Sequence, residues 1–355
     1  MMLSFYLSIS YLLAMEQQTV PFPYEITELV GEDKKLTTET LAANPIEFVR
    51  VGPKGYIFYK PYVRDAENIY NMPLRSSDVF VASYQRSGTT MTQELVWLLL
   101  NDFDYEKAKS IPLVGRYHFL EEFMFIDEEK KDIFIKNIKK VDPNFDQNHL
   151  LSVIEMMKTP ATIKLASTPS PRFIKTHLPM SFLPPKVLET AKVVYIAREP
   201  KDVAVSCYHH ALLFKMQQFS GGFKQFWNLF HRNLFILTPF FEHVKEAWNL
   251  RHHPNMLFLF YEDVSKDMPA SIRRIGEFFG KTVTEEQVAG LCDHLSIKKF
   301  KNNKSVNFEQ FKDSGLFDPN ESFIRKGKSG GWRDYFDEEM IQQADSWMAD
   351  NLRDT

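Results

Sequence analysis

The stretch SYQRSGTTMTQELVWLL, Ser83 to Leu99, decides how the chain is read. Just before it, Val79, Phe80, Val81 and Ala82 form an unbroken apolar run, the pattern of a strand buried on both faces. After Gly88 the period changes. Met91, Leu95, Leu98 and Leu99 recur at three- and four-residue steps and predict a packed helix. Between strand and helix stand Arg86, Ser87, Gly88, Thr89 and Thr90. A glycine turn that opens a helix offers unpaired backbone N–H groups at the positive end of the helix dipole. Two threonine hydroxyls and an arginine complete a site suited to phosphate or sulfate oxygens. Taken alone, Ser-Gly-Thr-Thr is equally an ordinary capped turn. It is not the nucleotide-triphosphatase loop, because no Lys follows Gly88 and no Gly precedes it by five residues.

Composition narrows the classes. At 355 residues the chain can bury a large α/β core in one domain or two. The net charge of −3 provides no global basic field for nucleic acid, so an anion site must be local. The 31 phenylalanines point to an aromatic core or an apolar cavity. Cys207 and Cys292 are too few for a disulfide framework or a metal cluster, and Cys292 falls on the apolar face of an expected helix. Residues 1–14 are apolar and uncharged, too short to span a membrane and without the basic start of a signal peptide. They read as an upstream extension, with Met15 a possible start and a cytoplasmic location expected; secretion is the secondary reading. Sequons at Asn303 and Asn320 would matter only in that second case.

The rest of the chain repeats the opening pattern. Phe48 to Tyr62, with glycines at 52 and 55, predicts a hairpin or two short strands. Residues 102–170 read as broken helix with interleaved aromatics, including Phe119 and Phe125, and are expected to form a helical lid or substrate-binding insertion. Arg172 to Pro179 is a short strand ending in a loop, with Lys175 and His177 on one side. Val193 to Ala197 is an apolar strand that delivers Arg198, followed by a helix opened by Pro200 and Asp202 and carrying Ser206. Met256 to Phe260 is a further strand, ending at Tyr261. Asp267 with Pro269, and Thr284 with Gln287, open two more helices, and Met340, Ala344, Trp347 and Met348 mark a last one. Apolar strands alternating with helices predict a single α/β domain over residues 15–355, with a central parallel sheet flanked by helices. Ligands bind beyond the carboxyl ends of such strands, so Arg86, His177, Arg198 and Tyr261 are expected to converge.

With those residues in place the chain, from about Pro21 onward, resembles the cytosolic sulfotransferases. The resemblance implies a donor, 3′-phosphoadenosine 5′-phosphosulfate (PAPS), whose product is the bisphosphate PAP. Arg86-Ser87-Gly88-Thr89-Thr90 matches the family's P-loop-like 5′-phosphosulfate loop, and Lys175 to Pro179 its Lys-Thr-His-Leu-Pro segment. Arg198 and Ser206, completed by Arg325-Lys326-Gly327, match its 3′-phosphate site, and Tyr261 a residue on the adenosine. Met91 stands where the family usually has an adenine-stacking Trp. Leu295 and Ile297 replace Thr and Phe, with Ser296 left to supply a hydroxyl. Arg86 replaces the family's loop Lys. The C-terminal dimer motif would fall on Arg333, Asp337-Glu338 and Gln342, where its apolar pair has become acidic, so the usual homodimer is in doubt.

The resemblance implies His177 as the base, with Lys175 and Arg86 stabilising charge on the leaving phosphate, and a small apolar alcohol or phenol as acceptor. No divalent metal, nucleic acid or membrane span is expected. Tyr84 to Leu98, Asn71 to Arg75 and Phe323 to Gly327 are worded like the insect branch that dehydrates retinol, for which sulfonation is followed by elimination. Two readings from other classes stand beside this one: a nucleotide kinase, and a non-catalytic carrier of lipophilic ligands.

Overall fold

The computed structural model describes residues 20–41, 47–141, 143–217 and 219–353; the apolar extension 1–14 and Met15 lie outside them. Ile26–Glu28 (β1), Phe48–Val51 (β2) and Tyr56–Tyr59 (β3) form an antiparallel sheet in the order β1-β2-β3. The expected hairpin is β2–β3. Val51 pairs with Tyr56, and the turn is made by Gly52 and Gly55, both at positive φ. β1 adds one half-buried and two exposed residues that carry no alternating pattern, which is why the sequence did not announce it.

The central sheet is parallel. Val79–Ala82 (β4), His118–Phe119 (β5), Phe173–Thr176 (β6), Lys192–Ala197 (β7) and Met256–Phe260 (β8) lie in the order β5-β6-β4-β7-β8. Alternate residues face opposite cores, as the two-residue period of a strand requires. Val79, Val81, Val194, Ile196, Leu257 and Leu259 join the helices Thr89–Leu100, Met268–Phe278 and Glu285–His294. Phe80, Ala82, Val193, Tyr195 and Phe258 join the helices Pro200–Leu213, Phe223–His231 and Glu338–Leu352. Both faces are therefore covered, and no described helix is long and apolar enough to cross a membrane.

The segment 102–170 does two things. Its helix Gln147–Lys158 buries Leu150, Val153, Ile154 and Met157 on the core, while β5 extends the central sheet by pairing Phe119 with Lys175. A two-residue strand leaves no periodic trace in the sequence. Asp337, in the altered dimer motif, caps the last helix by accepting a bond from the Met340 N–H at 2.9 Å.

Register at the start of the sheet is held by a buried ion pair. Arg172, just before β6, donates from Nε to Asp78, just before β4, at 2.7 Å, and from Nη2 to the Pro73 carbonyl at 2.8 Å. Both side chains are almost wholly excluded from water. Asp78→Ala strands the guanidinium and is expected to cost about 3–5 kcal/mol, read as a lower urea midpoint at unchanged m-value.

Candidate active site

Parallel register brings the strand ends level. Ala82 lies opposite Thr176 on one side and Tyr195 on the other, and Ala197 opposite Phe260. The next residues, Ser83, His177, Arg198 and Tyr261, are thus delivered to one edge of the sheet. A cleft of about 420 Å³ opens there. It is bordered by Arg86, Gly88, Thr89, Thr90, Met91, Lys175, His177, Arg198, Ser206, Tyr261, Leu295, Ser296, Ile297, Arg325, Lys326 and Gly327. Every predicted site residue but one lines it. The exception is Ser87, whose hydroxyl is buried and has no hydrogen-bond partner.

The loop is tightly built. Arg86 takes a positive φ of 66° and Gly88 one of 106°. A Cβ on Gly88 would sit 2.6 Å from the Tyr261 ring, so the glycine is needed both for its backbone angle and for space. The Arg86 guanidinium donates to Ser206 Oγ at 3.2 Å and to the Phe323 carbonyl at 2.7 Å, with its carbon 4.6 Å from the centre of the Phe323 ring. Burial, with Arg198 and Arg325 nearby, lowers Arg86 to about 10.

Arg198 lies over Tyr261, 4.4 Å from the ring centre, and donates to the carbonyls of Arg86 and Lys328. Its Nε is buried without a partner, which suits a bound anion. Asp202 accepts from the Gly330 N–H at 2.6 Å and the Trp332 N–H at 3.0 Å. That carboxylate folds the segment Arg325–Trp332 back over the cleft, which is how Arg198 and Arg325 come to share it.

The imidazole of His177 is oriented by its surroundings. Nδ1 lies 2.9 Å from the Ser83 carbonyl oxygen, which can only accept, so Nδ1 carries the proton and Nε2 the lone pair. Ser83 Oγ is 3.2 Å from the same nitrogen and 2.7 Å from Thr89 Oγ1, tying the ring to the phosphate-type loop. Burial, then the charge of Lys175, keeps His177 neutral by pushing it well below its ordinary value. Lys175 itself is brought down to about 8 by burial, against the opposing pull of Glu121 and Glu122, and its ammonium sits 3.7 Å above the Phe119 ring.

Three residues that the sequence did not single out stand at the site, and two of them hold this segment. Glu121, wholly buried, accepts from the His177 backbone N–H and from Thr176 Oγ1 at 2.9 Å. His243 donates from Nε2 to the His177 carbonyl at 2.8 Å and accepts from the Tyr195 hydroxyl at 2.7 Å. His210, which also borders the cleft, is four residues beyond Ser206 on the same helix. That spacing was the one available signal; Glu121 and His243 gave none.

A family model described as the sulfotransferase domain matches residues 76–355. The chain belongs to the sulfotransferase family. Luciferin sulfotransferase of Photinus pyralis is 32% identical over 313 residues, 86% of this chain and 80% of that protein. Human sulfotransferase 1E1 is 29% identical over 302 residues, 85% of this chain and 92% of that protein. Among solved structures, retinol dehydratase in complex with retinol and PAP superposes with a TM-score of 0.92 at 54% identity, covering 95% of this chain and 98% of that one. The same enzyme solved with androsterone and PAP gives the same values. The sulfotransferase thus has the fold and the family that its motifs imply.

Burial raises the Glu121 carboxyl to about 7, against the bonds from His177 and Thr176 that pull it down. The folded chain therefore holds a proton that the unfolded chain releases near the ordinary value of 4.5. This contribution to stability is complete below that value and lost as pH rises through about 7. Glu121→Gln, which cannot ionise, is expected to gain stability relative to the parent chain across that window. Urea midpoints at several pH values check it, and parallel curves for the two proteins refute it.

Proposed function

We propose that this sulfotransferase moves the sulfonate of PAPS to the hydroxyl of a small apolar alcohol or phenol and releases PAP. The reading rests most on His177: a neutral imidazole with its lone pair on Nε2, in one cleft with Lys175, Arg86 and Arg198. PAPS supplies a sulfonate on a phosphate leaving group. The chain's groups divide around it. Backbone N–H groups of Ser87 to Thr90 and the two threonine hydroxyls hold the 5′ end. Arg198, Ser206 and Arg325 to Gly327 hold the 3′-phosphate. Met91, Tyr261, Leu295, Ser296 and Ile297 border the base.

His177 takes the hydroxyl proton at Nε2 as the acceptor oxygen bonds to sulfur and the bond from sulfur to the phosphate oxygen breaks. Lys175 and Arg86 oppose the charge gathering on that oxygen. Much of the rate comes from alignment, because the planar sulfonate passes in line between two oxygens.

Phe119 and Phe125 line the same cleft and favour an apolar acceptor that displaces water. Retinol is the first candidate, given the 54% identity to a retinol dehydratase solved with retinol and PAP. An allylic sulfate ester that loses sulfate and a proton there would yield the dehydrated polyene.

Incubation with labelled PAPS and a panel of retinol, phenols and sterols, with products read by mass spectrometry, tests both outcomes. His177→Ala is expected to lower turnover by about 10²–10⁴-fold while PAP still raises the melting temperature; unchanged turnover removes His177 from the chemistry. Arg86→Lys keeps the positive charge but cannot make both the Ser206 and Phe323 bonds. It is expected to stay active with a higher KM for PAPS.

A further inference from the structure

The helix Pro200–Leu213 and its flanks present a stripe at four-residue steps: Arg198, Asp202, Ser206, His210 and Phe214. Neighbours at that spacing lie on one helix face. The first three already have work. Arg198 and Asp202 hold the C-terminal segment, and Ser206 receives Arg86. Phe214, the last, belongs to the aromatic wall and packs edge-on against Phe125 at 5.8 Å. His210 stands where the polar part of the stripe meets that wall.

Among the described residues, the polarity of its Nδ1 is unused. Its Nδ1 is buried and has no hydrogen-bond partner, and its ring contacts are aromatic: Phe214 at 5.7 Å and Phe323 at 6.3 Å between ring centres. Phe323 is the ring on which Arg86 rests, so His210 is one side chain away from the charge beside the transferring group. Burial, then Arg86 and Lys175, holds the imidazole neutral, leaving it one N–H and one lone pair. A polar ring in an aromatic wall is destabilising while it stays unpaired, and a phenylalanine there would not incur that cost.

We propose that His210 is a second acceptor-binding imidazole, which hydrogen-bonds the hydroxyl end of the acceptor while His177 takes its proton. The acceptor oxygen has a lone pair to spare during attack, and a neutral imidazole N–H satisfies it without competing for the sulfonate. His210 is thus a specificity-determining residue. It selects molecules with an apolar body and a hydroxyl at the end that reaches the cleft floor. This inference rests on the transfer reading given above.

The test pairs the best acceptor from the panel with its analogue carrying hydrogen in place of the hydroxyl. Affinities of both are measured by tryptophan fluorescence in the PAP-saturated protein, where no chemistry occurs, for wild type, His210→Phe and His210→Gln. Phe is expected to reduce the preference for the alcohol by about 3–10-fold, the range of one neutral hydrogen bond, while PAP affinity is unchanged. Gln is expected to restore most of the preference. If wild type transfers sulfonate but His210→Phe keeps the full preference, the inference is wrong and the transfer reading stands. If wild type transfers to no acceptor, the transfer reading fails and takes the inference with it.

Discussion

The bond from His177 Nδ1 to the Ser83 carbonyl is the contact on which the site depends. It exists because β4 and β6 are parallel neighbours in a register that sets Ala82 against Thr176, so the residues that follow emerge side by side. A slip of one residue would turn His177 to the other face of the sheet. The Asp78–Arg172 pair at the opposite end of the same two strands guards against that slip. The geometry of the cleft at the carboxyl ends is therefore secured at the amino ends of the same strands.

Much of this was legible in the residues. The switch from an apolar run to a three- and four-residue period at Gly88 marks strand, turn and helix without reference to anything else. The capping box at Thr284 and Gln287 and the proline-opened helices stand where those residues require them. Clustering of Arg86, His177, Arg198 and Tyr261 followed from the rule that parallel sheets bind ligands past their strand ends. The supporting contacts were not legible. Glu121 lies in a run of acids and aromatics that reads as surface helix, and only the pairing of β5 with β6 carries it beneath His177. His243 sits 66 residues from the carbonyl that it steadies, and no local pattern reports a contact of that span.

Arginine at position 86 is accommodated by Ser206 and Phe323. A lysine ammonium has no planar face, whereas the guanidinium uses Ser206, the Phe323 carbonyl and the Phe323 face together. The loop that carries Phe323 is in turn fixed downstream by Asp202, which also belongs to the helix bearing Ser206. Loop, helix and C-terminal segment close on one another through two cations, Arg86 and Arg198, and one carboxylate, Asp202.

The stripe from Arg198 to Phe214 has a wider meaning. One helix, about 1.5 Å long per residue, has Arg198 of the cleft just before its first turn and Phe214, packed on Phe125, just after its last. Any tilt of that helix moves both ends at once. On the function proposed above, the nucleotide and the acceptor are therefore not held by independent surfaces.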